Sequence, residues 1–168
     1  MNALSNHDTF DPGSSAETHS SDFEQLRGEL LNAFFTFEVA VARWLRHLGD
    51  KDSNGSLGQR LGRLAVHPRL EGIATRKQLE KLKDLERSCA TIVEIRNAAV
   101  HSSHETGNKG GVPCVHLRTI EHELNGGSDY TVYSFDEVRK AAQEARRLAG
   151  QLNTFLNQAS SPPPPSPA

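Results

Sequence analysis

The sequence predicts an all-α protein: a four-helix up-and-down bundle with one short helix, a small β-hairpin inserted between the third and fourth helices, and disordered tails. Three observations predict this fold class. Apolar residues recur every three or four positions, the period of a helix that buries one face. Four Ser or Thr residues are each followed three positions later by Glu or Gln, as in a capping box. An Asn-Gly pair between two strand-forming segments indicates a hairpin.

Both ends of the chain are predicted to be disordered. Residues 1–20 form an acidic tail, rich in Ser, Asp, Asn and Thr, with too few apolar residues to offset the entropy of ordering them. Residues 159–168 are rich in proline, which lacks an amide donor and favours an extended conformation. The folded domain is therefore expected over residues 21–158.

Each predicted helix has a recognisable start or end. The capping patterns, after which the four helices are expected to begin, lie at Ser21, Ser56, Thr75 and Ser134. The first helix ends at Gly49, and the second is short because Pro68 stops it. The third, from about Arg76 to Ala99, is the central helix, since few polar residues interrupt its second half. The fourth begins near Phe135 and closes the bundle.

Residues 102–134 differ from the helices in composition. Segments that favour strands flank the sequence NGGS at residues 125–128, which predicts a two-stranded hairpin with its turn there. Side chains alternate between the two faces of a strand, so Cys114 and His116 share one face, and Val115 and Leu117 share the other. Because neither face is cleanly apolar, we expect a partly exposed flap.

Length and composition exclude several classes of protein. A chain of 168 residues with 36% hydrophobic and 24% charged residues fits one soluble domain. No apolar run approaches the roughly 18 to 20 residues needed to cross a bilayer. The N-terminus lacks the features of a secretion signal, so the expected location is cytoplasmic. In a reducing compartment, Cys89 and Cys114 are expected to be free thiols.

One stretch of the chain is locally basic. Between Arg60 and Arg87 there are eight basic residues and four acidic ones, although the whole chain has a net charge of -2. Such a stretch can bind a phosphate backbone, because each Lys or Arg contact releases counterions. The alternative is a solvated helix face of mixed charge. The sequence leaves both interpretations open.

The sequence RNAAVH, from Arg96 to His101, lies at the end of the predicted central helix. Its Arg, four intervening residues and His, with Asn97 directly after the Arg, match the motif of the HEPN superfamily. The chain resembles that family in this hexapeptide and in its predicted helical plan over about residues 21–158.

The resemblance implies a helical domain that pairs with itself and brings two copies of the motif together in a cleft. Many members are metal-independent endoribonucleases, including toxins and defence effectors, whereas others are inactive binding or scaffolding domains. By this resemblance, Arg96 and His101 would be catalytic, Asn97 and Ser102 would support them, and neither a metal nor a cofactor is expected. RNA would be the substrate, and an antitoxin or a nucleotidyltransferase would be a partner.

The residue types of the motif suit RNA cleavage without a metal. Such cleavage needs a base for the 2'-hydroxyl proton, and an unperturbed histidine, with a pKa of about 6.5, is mostly neutral at pH 7. It also needs a cation for the charge that grows on the phosphate, and a guanidinium forms two parallel hydrogen bonds to phosphate oxygens. At about 100° per residue, however, Arg96 and His101 differ by about 140° around a helix. Either the helix ends near His101, or a second subunit completes the site.

Each residue of the motif also has a purely structural interpretation. Arg96 can form an ion pair with Glu94, and Asn97 can cap carbonyls or link helices. His101 can act as a cation that interacts favourably with the dipole at the helix C-terminus. The alternative function is therefore a non-catalytic helical binding or dimerisation domain.

Five potential metal ligands lie within 22 residues, namely His101, His104, Cys114, His116 and His122. Structural zinc sites usually have paired Cys or His at tighter, recurrent spacing, and this segment contains a single Cys. The sequence therefore predicts no metal site.

Overall fold

The computed structural model describes residues 16–50, 54–119 and 131–160. Within these residues the chain forms four α-helices and a 3₁₀ helix at Pro68–Gly72, which lies between the second and third α-helices. The α-helices are α1 (Ala16–His47), α2 (Leu57–Ala65), α3 (Arg76–His101) and α4 (Phe135–Ser160).

A three-stranded antiparallel sheet lies between α3 and α4 in the chain. Its strands, in the order β1-β2-β3, are β1 (Ser102–Lys109), β2 (Val112–Thr119) and β3 (Thr131–Ser134). Gly110 and Gly111 join β1 to β2 and have φ angles of 57° and 79°. A two-residue turn with positive φ at both positions matches the twist of the flanking strands, and glycine adopts it without steric cost.

The predicted fold class was wrong. The expected element was a two-stranded hairpin between the third and fourth helices, whereas the structure has a three-stranded sheet. The unpredicted 3₁₀ helix at Pro68–Gly72 makes α3 the fourth helical segment, so the sheet follows the fourth segment and not the third. Pro68 ends α2, but it also starts this new turn, because proline is already fixed at a helical φ and needs no amide donor at a first position.

The missed strand is β1, whose sequence SSHETGNK has no alternating apolar residues. It is held by its pairing with β2, in which Thr106 lies opposite Val115 and His104 lies opposite Leu117. Val115 and Leu117 are buried, so this face of the sheet is packed, although it also carries the polar residues His104 and Thr106. The predicted turn at residues 125–128 lies outside the described residues.

Three of the four predicted helix starts are confirmed. Ser56, Thr75 and Ser134 each accept a hydrogen bond from the backbone amide three residues later. Helix α1 begins at Ala16, so Ser21 lies inside the helix and does not cap it. Most of both predicted tails falls on residues 1–15 and 161–168, which are outside the described residues.

The chain divides into two compact units. The sheet unit comprises Met1–Leu31 and Glu94–Ala142, and the helical unit comprises Asn32–Val93 and Gln143–Ala168, as far as each is described. The predicted single domain over residues 21–158 is not tested by this division and stays a prediction.

The helical unit is organised around the chain's one tryptophan. Trp44 is 2% exposed, and its indole Nε1 donates a hydrogen bond to the Leu152 carbonyl over 2.7 Å. Arg60, on α2, donates to the Glu38 carboxylate on α1 over 2.7 Å. Among the described residues, no helix has both the length and the apolar character needed to span a bilayer.

The sheet unit contains a buried aromatic pair. The rings of Phe23, on α1, and Phe135, the first residue of α4, lie 6.1 Å apart. Phe23 also contacts the ring of His104, on β1, at 4.9 Å. These contacts bring the start of the sheet, which follows the predicted motif directly, against α1.

Candidate active site

The predicted motif lies at the junction between α3 and β1, within the sheet unit. His101 is the last residue of α3 and is exposed, and Ser102 is the first residue of β1. No loop separates the two elements. The predicted hairpin has no strand at Ser102, but in the structure this residue pairs with Thr119 of β2.

Arg96 is half-buried, and its side chain forms a hydrogen bond with the next residue in the chain. The guanidinium Nη1 donates a hydrogen bond to the Asn97 side-chain oxygen over 3.0 Å. The Glu94 carboxylate, which was the candidate for an ion pair with Arg96, accepts a hydrogen bond from the Tyr133 hydroxyl at 3.5 Å. In this contact the Asn97 side chain neither caps a carbonyl nor links two helices, which were its structural interpretations from the sequence.

The helical geometry separates Arg96 from His101. Helix α3 continues through His101, so the two residues are separated by about 140° around the axis and by about 7.5 Å along it. Helix α3 ends at His101, as the first of the two arrangements considered from the sequence requires. Completion of the site by a second copy of the chain also stays open, because the two side chains leave the helix in different directions.

The Ser102 hydroxyl differs from an ordinary exposed serine. Its oxygen is buried and has no hydrogen-bond partner among the described residues. A buried hydroxyl without a partner has a free-energy cost, so it is a candidate for a contact with a ligand or with water. Its place directly after His101 keeps it within the candidate site.

A second imidazole lies close to the motif. His104 Nε2 is 3.4 Å from the Glu24 carboxylate, and this contact becomes an ion pair when the imidazole is protonated. The sequence does not predict this contact, because residues 102–109 have no apolar alternation that would indicate a strand.

Burial shifts the protonation of groups on β2 and β3. Partial burial lowers the pKa of His116, although Glu105, opposite it on β1, opposes the shift. Burial also raises the pKa of the Cys114 thiol. For Tyr133, burial is the largest cause of a raised pKa, and the nearby Glu94 carboxylate adds to it. All three side chains are therefore held in their neutral forms.

Of the five potential metal ligands considered from the sequence, His122 lies outside the described residues. Among the residues that the structure describes, no three His, Cys, Asp or Glu side chains gather closely enough to hold a metal ion.

The basic stretch from Arg60 to Arg87 divides by residue type. Its arginines mostly contact acidic side chains or carbonyls of the fold, as in the pairs Arg60–Glu38, Arg63–Asp50, Arg76–Glu80, Arg87–Asp84 and Arg69–Leu48. Lys77, Lys81 and Lys83 are exposed and form no ion pair with any described residue. The arginines thus fit the mixed-charge interpretation, whereas the lysines still fit phosphate binding.

Comparisons of this chain with protein-family models, with curated proteins and with solved structures give no match. The resemblance to the HEPN superfamily therefore depends on the residues of the motif and on their place at the end of α3. The function of the chain has to be argued from its own geometry.

Proposed function

We propose that this protein is a HEPN-like, metal-independent endoribonuclease, with a composite site formed by two copies of the chain in the cytoplasm. Arg96 and His101 are its catalytic residues, with Asn97 and Ser102 in support. One observation carries the proposal: an exposed histidine ends α3, five residues after an arginine whose guanidinium is oriented by the neighbouring amide.

The proposed reaction is an intramolecular attack within the RNA. The neutral imidazole of His101 removes the proton of a 2'-hydroxyl, and that oxygen attacks the adjacent phosphorus. The bond from phosphorus to the 5'-oxygen breaks, and the leaving oxygen takes a proton from a water molecule. The guanidinium of Arg96 stabilises the charge on the non-bridging oxygens. The products are a 2',3'-cyclic phosphate and a 5'-hydroxyl.

The proposal includes two copies of the chain, because Arg96 and His101 of one copy lie about 140° apart around the same helix. A twofold axis near the ends of two α3 helices places the Arg96 of one copy near the His101 of the other. The site is then incomplete in a monomer. Mixing His101→Ala protein with Arg96→Ala protein tests this directly, because a mixed dimer regains one site in which both residues are intact.

The resemblance also suggests a biological role, as a toxin or a defence effector with an antitoxin or a nucleotidyltransferase as its partner. Expression of an active ribonuclease inhibits growth. We expect the wild-type chain to slow the growth of an expression host and His101→Ala to relieve that effect.

Cleavage of structured and unstructured RNA in EDTA tests the proposed chemistry. We expect His101→Ala to lower the rate by about 10²- to 10⁴-fold, the usual contribution of a general base. His47→Ala is the matched control, because His47 is likewise an exposed histidine at the last residue of a helix. Arg87→Ala is the control for Arg96→Ala, because both arginines lie on α3.

The substrate gives a second check on the mechanism. A single 2'-deoxy substitution at the cleaved position should abolish cleavage, because it removes the attacking oxygen. Cleavage that survives both His101→Ala and Arg96→Ala would contradict the proposal, as would products with a 3'-hydroxyl.

An exposed aromatic residue favours the alternative function, a non-catalytic binding or dimerisation domain. Phe35, on α1, is 64% exposed, so a large apolar side chain is available for contact with a partner. Under this alternative, RNA stays intact with the wild-type protein, and Phe35→Ser lowers the dimer fraction in sedimentation experiments. Under the ribonuclease proposal, Phe35→Ser leaves the cleavage chemistry intact.

A further inference from the structure

A groove of about 650 Å³ lies in the helical unit, between the start of α3 and the second half of α4. Its volume is in the range of sites that hold small ligands. None of the described residues that line it belongs to the proposed catalytic site.

The groove is positively charged. Lys77 and Lys81, one helical turn apart, line its α3 side, and both are exposed without an ion pair among the described residues. Arg147 lines its α4 side and is held there by Glu144 through two hydrogen bonds of 2.7 and 2.5 Å. Among the described lining residues none is acidic. The first turn of α3 adds the positive end of a helix dipole and contains no acid.

The lining of the groove is held in place by hydrogen bonds. The Gln78 side chain donates to the Gln158 side chain across 3.3 Å, which links α3 to α4. Gln78 also accepts hydrogen bonds from the amide and the hydroxyl of Thr75, at 2.7 and 2.9 Å. The two helices therefore present Lys77 and Lys81 from a preorganised surface, which lowers the entropy cost of binding.

Two residues of α4 shape the groove for a flat ligand. Gly150 lies inside the helix and is exposed, and a side chain added there would meet no atom within 4 Å. Packing therefore does not require glycine at this position, although it costs about 0.8 to 1 kcal/mol of helix propensity relative to alanine. Its absent side chain leaves the groove open. Phe155 lines the same groove and is half-buried, so part of its ring faces the open space.

We infer that this groove binds a short segment of unpaired RNA, with Lys77 and Lys81 on phosphates and a base stacked on Phe155. The combination of cations with an exposed aromatic ring is how proteins hold single strands, because every base has a face that can stack. A duplex presents no free base face to the ring. The inference rests on the proposed function, since that activity is the reason for taking RNA as the ligand.

Binding is to be measured separately from cleavage, with His101→Ala protein and a fluorescently labelled single-stranded RNA of about ten nucleotides. Lys77→Gln together with Lys81→Gln should weaken binding by about tenfold or more in low salt. The slope of log affinity against log salt should fall by about 0.7 for each lysine, the value for single strands. Lys83→Gln is the matched control, because Lys83 is an exposed lysine of α3 that does not line the groove.

Two further variants separate stacking from charge and blocking from unfolding. Phe155→Leu keeps an apolar side chain and should weaken binding by about tenfold through the loss of stacking. Gly150→Leu should raise the thermal midpoint of the protein, because leucine favours helix, and yet weaken binding by filling the groove. A loss of binding in a stabilised protein cannot come from misfolding.

Each outcome decides between specific alternatives. If Lys83→Gln weakens binding as much as the Lys77 and Lys81 changes, binding is diffuse electrostatic attraction and the inference is wrong. If inorganic polyphosphate or duplex RNA competes as strongly as the single strand and Phe155→Leu has no effect, the groove does not recognise unpaired RNA. If wild-type protein cleaves RNA while the groove variants bind normally, only the groove inference fails. If the groove variants behave as expected but no RNA is cleaved, only the ribonuclease proposal fails.

Discussion

Polar contacts between residues far apart in the chain occur in both units, but they differ in length. In the helical unit, Arg60 donates to Glu38 and Trp44 donates to the Leu152 carbonyl, each over 2.7 Å. In the sheet unit, the Tyr133 hydroxyl donates to Glu94 at 3.5 Å, and His104 lies 3.4 Å from Glu24. A short hydrogen bond between buried groups contributes more than a long one. We therefore expect the long-range contacts of the helical unit to contribute more to stability than those of the sheet unit.

The helix starts of the two units differ in the charge of one capping side chain. In the helical unit, the backbone amides of Ser56 and Thr75 donate to the neutral side chains of Gln59 and Gln78. In the sheet unit, the Glu137 carboxylate accepts hydrogen bonds from the amide and the hydroxyl of Ser134 at 2.7 and 2.8 Å. Among these described caps, the one in the sheet unit contains a titratable carboxylate, so its strength depends on pH.

The largest expected effect concerns the core of the helical unit. Trp44→Ala removes a buried aromatic side chain and a long-range hydrogen bond, so it should lower the free energy of unfolding by about 3 to 5 kcal/mol. Urea unfolding followed by circular dichroism measures this. Phe35→Ala, an exposed aromatic residue of the same helix, is the control and should change the value by less than about 0.5 kcal/mol. Equal effects of the two changes would contradict the assignment of the core.

The next effect concerns long-range ion pairs. Arg60→Met leaves the partly buried Glu38 carboxylate without its cation and should cost about 1 to 3 kcal/mol. Arg76→Met removes an exposed pair with Glu80 on the same helix and should cost about 0 to 0.5 kcal/mol. If both changes cost the same amount, the distinction between long-range and local partners has no energetic basis.

A third effect concerns the charged cap of the sheet unit. Ser134→Ala should cost about 1 kcal/mol, the usual value for a helix N-cap. Hydrogen bonds from Ser134 hold the pKa of Glu137 below its ordinary value. The stability from this carboxylate is therefore present above the ordinary glutamate pKa and is lost as the pH falls through the lowered pKa of the folded protein.

Amide hydrogen exchange at Ser134 and Ser56, compared over this acidic range, tests the third effect. Protection of the Ser134 amide should fall with the pH, and Glu137→Gln should remove that dependence. The Ser56 amide is the internal control, because it donates to the side chain of Gln59, which does not titrate. Its protection should not change over this range. A parallel fall at both amides would show general acid unfolding and not the titration of Glu137.

The smallest effect at neutral pH is expected for Tyr133→Phe, because the hydrogen bond to Glu94 is long, at 3.5 Å. We expect a loss of less than about 1 kcal/mol. Burial raises the pKa of Tyr133, so the stability from its neutral form is present below the ordinary tyrosine pKa and is lost as the pH rises through the raised value. Above about pH 10, the ordinary tyrosine pKa, Tyr133→Phe should therefore lose less stability than the wild type, as urea midpoints will show. An equal loss in both proteins would contradict this.

The helices were largely predictable from the sequence, for a local reason. The periodic apolar residues and the caps at Ser56, Thr75 and Ser134 act within a few positions, so they can be read without knowledge of the fold. The predicted starts near Leu57, Arg76 and Phe135 agree with the structure. Ser21 failed because a capping pattern within a longer helix has the same residues as a true start.

The sheet was predictable only in part, because a strand depends on its partner. β1 has no apolar alternation, and it forms because β2 satisfies its backbone groups and buries Thr106 opposite Val115. The candidate site shows the same limit. The sequence identified Arg96 and His101, but the contact of Asn97 with Arg96 and the proximity of His104 to Glu24 required coordinates.

The sequence by itself determined where three helices start, which of their faces are apolar, and which hexapeptide has an Arg and a His separated by four residues. Tertiary structure alone decided that a polar segment becomes a strand, that α3 continues through His101, and that two lysines line an open groove. The physical reason is range. Capping and periodicity act between residues a few positions apart, whereas strand pairing, burial and the shape of a groove depend on segments that meet only in the folded chain.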